Sequence, residues 1–120
     1  MNAKIYDECG ANRAEMRCIR QIEKSKLMNL LERERRLTNF LAEHHAQLIL
    51  TNSNKPIEAA DALLSHIAGH PEVKETDNRI NNILDAFGEF RGFCESIRNR
   101  TRAAVSAKLE TVIHLVNHTA

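Results

Sequence analysis

The sequence predicts an all-α fold: a long antiparallel helical hairpin, coiled-coil-like, with a short middle helix. Three observations carry this. Apolar or small residues recur at Val73, Thr76, Ile80, Ile83, Phe87, Phe90, Cys94, Ile97, Thr101, Val105, Leu109, Val112 and Val116, always in steps of three or four. Only a helix gathers such a series on one face. Gly (4) and Pro (2) are scarce among 120 residues, so the chain has few places to turn. Aromatic residues make up 4% of the chain, too few for an aromatic-rich strand core.

The length fits one domain, 1–120, with one core. Residues 1–10 read as a short tail, with Ile5 and Tyr6 as its bulky apolar residues and Gly10 as a helix breaker. Asn12 followed by Glu15 resembles a capping box and sets a first helix over 12–50. Its stripe is Met16, Ile19, Glu23, Leu27, Leu30, Glu34, Leu37, Leu41, His45 and Leu48. Polar residues interrupt this seam at Glu23, Glu34 and His45. They are costly if buried alone, so they are expected to stay exposed or to meet Arg or Lys across an interface. Such interruptions fix register and partner choice in coiled coils.

Thr51–Pro56 is rich in turn formers and reads as a loop. A short second helix follows over 56–68, with Ile57, Ala60, Leu64 and Ile67 on its apolar face and Leu63 beside it. Gly69 and Pro71 stop it. The third helix is expected over 72–117. Glu72, Glu75 and Asp77 suit the positive end of its dipole. Gly88 and Gly92 fall off its seam and the periodicity keeps phase across them, so one continuous helix is preferred over a break there. The first and third helices then form the hairpin, and the second crosses as a cap.

Composition excludes several classes of function. A net charge of +1 gives no strong general pull toward DNA or anionic lipid. No run approaches the length of a membrane span. Asp7 and Glu8 sit where a signal peptide would be apolar, and three unpaired cysteines do not form a disulfide framework, so a cytoplasmic setting is expected.

Candidate chemistry is sparse. His66/His70 and His114/His118 have the i, i+4 spacing of metal ligands, but neither pair has a further Cys or carboxylate at ligand spacing. His66 is the one mid-chain candidate for phosphotransfer, yet Ile67, Ala68 and Gly69 follow it instead of a Lys-Gly pair. No nucleophile, base and oxyanion donor assemble, so no enzyme activity and no cofactor are expected.

Arg13, Arg17, Arg20 and Lys24 line one face of the first helix, about a quarter-turn from its seam. Further basic clusters lie at Arg33–Arg36 and Arg91–Arg102. Interspersed Glu residues nearly cancel them, which reads first as a solvated face with intrahelical ion pairs. The expected function is protein–protein interaction through amphipathic helices, as in an adaptor, a small secretion-type chaperone or an assembly factor. The partner is another protein or a second copy of the chain. The expected partner-binding residues are Phe87, Phe90, Cys94 and Ile97, with Arg13, Arg17, Arg20 and Lys24. The alternative is a nucleic-acid-associated bundle using the basic stripe, and a metal-binding or phosphotransfer bundle ranks below it.

Overall fold

The structure, a computed structural model, describes residues 9–50 and 55–119, with side chains over 13–47 and 55–115. Among the described residues there are helices α1 (Cys9–Leu50), α2 (Pro56–Ala68), α3 (Pro71–Ala86) and α4 (Arg91–Thr119), a single 3-10 turn at Gly88–Phe90, and no strand. The all-α fold is therefore as expected. The turn formers at 51–54 and the tail at 1–8 lie outside the described residues.

Local sequence explains most of the boundaries. α1 starts at Cys9, so Gly10 does not break it and Asn12 lies within the helix instead of capping it. A single glycine penalty of about 1 kcal/mol does not outweigh the long helical pattern that follows. Lys55 caps α2 in an extended conformation and Pro56 occupies the first turn, where a missing N–H costs nothing. The apolar face of α2 is rotated from the expected one: Ala59, Ala60, Leu63 and Ile67 are buried, while Ile57 is 72% exposed. Gly69 ends α2 with right-handed φ and ψ of −81° and −9°, so its stop needs no left-handed residue. The stop comes from His70, held extended before Pro71. His70 also caps α3, its Nδ1 accepting the Glu72 N–H at 3.2 Å.

The expected continuous helix over 72–117 is corrected: it breaks at Phe87, whose φ and ψ are −130° and 74°. The Phe87 N–H still donates to the Ile83 carbonyl at 2.7 Å, and the Phe90 N–H donates to the Phe87 carbonyl at 3.0 Å. The chain then reverses into α4. The break costs a few helical hydrogen bonds beside two poor helix formers, Gly88 and Gly92. In return α4 is laid back along α1 and α2, and a straight helix could not reach both.

Ion pairs fix the directions. Arg33 faces Glu75 at 3.6 Å and Arg20 faces Glu89 at 3.0 Å, so α3 and the turn after it run antiparallel to α1. Arg98 meets Glu34 and Lys108 meets Glu43, so α4 returns parallel to α1. The antiparallel hairpin is thus made by α1 with α2 and α3 placed end to end. The second helix prolongs this arm instead of crossing as a cap, and α4 is the third layer. The whole measures 73 × 23 × 17 Å.

Two apolar clusters fill the bundle. One joins Leu41 and Ala42 of α1 to Leu63 and Ile67 of α2, Val73 of α3, and Val105 and Leu109 of α4. The other joins Leu27, Leu30 and Leu31 of α1 to Ile80, Ile83 and Leu84 of α3, with Phe90 and Cys94. The polar interruption of the α1 seam at Glu34 lies between them in sequence.

Candidate functional site

Helix lengths create the feature of most interest. α1 has 42 residues and outlasts the helices that pack on it. The turn between α3 and α4 reaches α1 at Arg20, whose Nε lies 3.0 Å from the Glu89 Oε2, and at Lys24, whose Nζ sits 5.2 Å from the Phe93 ring centroid. Toward the start of α1, every residue from Arg13 to Ile22 is exposed. This stretch rises about 15 Å along the helix axis.

The stretch keeps the amphipathic pattern of the buried part of α1. Met16 and Ile19 lie on the same seam as Leu27 and Leu30, yet they are 41% and 39% exposed. Ile22, beside the seam, is 50% exposed. Leu27, in contrast, is 0% exposed. The difference lies in what stands opposite: Ile83, Phe90 and Cys94 cluster with Leu27 and Leu30, and Met16 and Ile19 belong to neither apolar cluster of the described residues.

The basic stripe is divided by the same boundary. Arg20 and Lys24 are engaged by Glu89 and Phe93. Arg13 and Arg17 have no partner among the described residues. The other basic clusters are mostly stitched between helices and less within one: Arg33 to Glu72 and Glu75, Arg98 to Glu34 and Asp77, Arg102 to Asp61. Only part of the expected intrahelical pairing is seen, as Glu32 with Arg35 and Arg36, and Glu23 with Lys26. Arg35 holds Glu32 below the usual carboxylate range.

The expected partner-binding section at Phe87, Phe90, Cys94 and Ile97 packs inward in the single chain. Phe90 and Cys94 are buried, and Phe87 and Ile97 pack against the same cluster from partly buried positions. The break at Phe87 folds this section onto α1 of the same chain, which buries Phe90 and Cys94 and half-buries Phe87 and Ile97. Burial also pushes the Cys94 thiol up, away from nucleophilic chemistry. Cys18 is exposed on the overhanging part of α1.

A polar cluster sits at mid-bundle. Arg98 donates to both carboxylate oxygens of Glu34 at 2.9 Å and to the Asp77 Oδ1 at 2.7 Å. It lines a cavity of about 170 Å³ with Thr38, Thr101 and Arg102. Two carboxylates share one guanidinium, which leaves an excess negative charge. Burial first, and then the neighbouring Asp77 carboxyl, push Glu34 up to about 7 against the pull of Arg98. Glu34 is the more buried carboxyl of the two, its side chain 14% exposed against 34% for Asp77. The signal for this cluster was legible as Glu34 in the seam, but Asp77 and Arg98 gave no sign of being its partners.

Among the described residues, no group of three or more His, Cys, Asp or Glu has the geometry to hold a metal ion, and the side chain of His118 lies outside those residues. The ring of His66 lies edge-on to that of His45 at 4.9 Å, and His70 caps α3. Among the described residues no helix is long and apolar enough to cross a membrane. In comparisons with known proteins, no protein family, curated protein or solved structure matches the chain.

Proposed function

We propose that this protein is a protein–protein interaction module, of the adaptor, small chaperone or assembly-factor kind, that receives its partner on residues 13–22 of α1. The observation that carries this is the exposure of Met16 and Ile19, in phase with the buried Leu27 and Leu30. An amphipathic helix that leaves its bundle with its apolar face uncovered is a half-built helix pair. Among the described residues, neither apolar cluster takes up this stripe.

The energetics fit exchangeable pairing. Fully burying such a side chain contributes about 1.5–3 kcal/mol, and these three are already partly covered. Together they supply a few kcal/mol, less than association alone costs. Polar contacts from the flanks must add to them, and the complex would be reversible. A cytoplasmic setting accords with the odd count of three cysteines.

The test is site-specific photo-crosslinking in the native host, with the probe at Ile19 and, as control, at the more exposed Ile57 on α2. A discrete protein adduct from position 19 and none from position 57 is expected. Identical adduct patterns from the two positions would refute the assignment.

A further inference from the structure

Resting on the reading of residues 13–22 as the docking stretch, we infer that its occupant is an acidic amphipathic helix, which lies on Met16 and Ile19 and sets carboxylates against Arg13 and Arg17. Continuity with the bundle gives the shape of the ligand. From Leu27 onward, the same α1 seam is filled by helices, α3 on one side and α4 on the other. A helix laid along the overhang would continue that packing and abut the turn at Phe87–Phe90.

Charge gives its chemistry. Residues 13–22 carry Arg13, Arg17 and Arg20 against Glu15. Where α1 is covered, basic residues on its flanks meet carboxylates of the facing elements, as Arg20 meets Glu89 and Arg33 meets Glu72 and Glu75. Arg13 and Arg17 lie on the flank that holds Arg20, two turns and one turn further out, and have no carboxylate opposite among the described residues. The rule that builds the bundle therefore asks for acidic residues there.

A second copy of the chain fits less well. In an antiparallel two-fold pairing of two overhangs, each flank faces its own equivalent, which sets the arginines of one copy against those of the other. Duplex DNA and anionic lipid would use the same arginines without needing the apolar seam, or with a far wider one.

The test uses the whole protein and two fluorescent peptides, each a single helix with Leu at seam spacing. One has Glu on both flanks and the other has Lys at the same positions. Anisotropy at physiological salt should show the Glu peptide binding at least about tenfold more tightly than the Lys peptide. Arg13→Glu with Arg17→Glu should reverse that order, and Ile19→Asp should abolish both complexes while circular dichroism stays unchanged. Equal binding of the two peptides, lost in Ile19→Asp, would refute the acidic occupant and leave the docking stretch standing. Binding indifferent to Ile19→Asp would refute both. Failure of the Glu peptide to bind, or tighter binding to phosphatidylserine vesicles or duplex DNA than to it, would overturn the inference, and crosslinking at Ile19 would then judge the docking stretch separately.

Discussion

Arg98 on α4 donates two hydrogen bonds to Glu34 on α1, each 2.9 Å long, across 64 positions of sequence. The pair ties the parallel helices in register, and Asp77 brings α3 to the same guanidinium. A polar residue in the α1 seam is thereby satisfied within one chain.

The excess carboxylate makes stability depend on pH. The folded protein raises Glu34 from 4.5 to about 7, so the folded state binds its proton more tightly than the unfolded state does. The contribution is full below pH 4.5 and is lost as pH rises through about 7. Its upper bound is about 3 kcal/mol. Glu32 and Glu43 are lowered by Arg35 and Lys108, and such groups act at more acidic pH and in the opposite sense. The urea midpoint is therefore expected to fall between pH 5 and pH 7.5 in the wild type. In Glu34→Gln it should stay nearly flat over that window, because the amide still accepts from Arg98 and has no proton to lose. An unchanged slope in the variant would refute the assignment to Glu34.

Phe90→Asp tests whether the Phe87–Ile97 section is core. Phe90 is buried among Leu27, Leu30 and Cys94 of its own chain. A buried unpaired charge costs several kcal/mol, a large part of what a small domain has. The variant is expected to lose most of its helical circular dichroism. A fully helical variant with a smaller sedimentation coefficient than wild type would instead show that the section joins two chains.

Gly92→Ala should stabilise the protein. Gly92 lies in the first turn of α4, and a Cβ there would meet nothing within 4 Å. The expected gain is up to about 1 kcal/mol, read as a higher urea midpoint with unchanged slope. A loss of stability would mean that the reversal between α3 and α4 needs the freedom of this glycine.

Random duplex DNA is expected to bind weakly at physiological salt. Much of the positive charge is already matched: Arg20, Arg33, Arg98 and Arg102 face carboxylates on other elements. Too few cations remain for a large counterion-release contribution. A sub-micromolar gel shift at that salt, abolished by Arg17→Glu with Arg20→Glu, would promote the nucleic-acid reading over the protein-binding one.

The sequence by itself determined that the chain is helical and where α1, α2 and the start of α3 lie. Periodicity, Pro56 and Pro71 act locally, and local hydrogen bonding and φ/ψ limits suffice to read them. It also marked Glu34 as a polar residue in a seam and Arg13, Arg17, Arg20 and Lys24 as one face. Only the tertiary structure decided that the chain reverses at Phe87. The apolar steps keep phase across Gly88 and Gly92 whether the helix is straight or broken, and the choice rests on burying Phe90 and Cys94 against Leu27, more than fifty residues away. That reversal laid the expected docking section against α1 and paired Glu34 with Arg98. It also fixed where α3 and α4 stop covering α1, and so left Met16 and Ile19 about two-fifths exposed. The exposure of a stripe depends on the lengths of the helices opposite it, and those lengths were set by a non-local packing energy that no local pattern records.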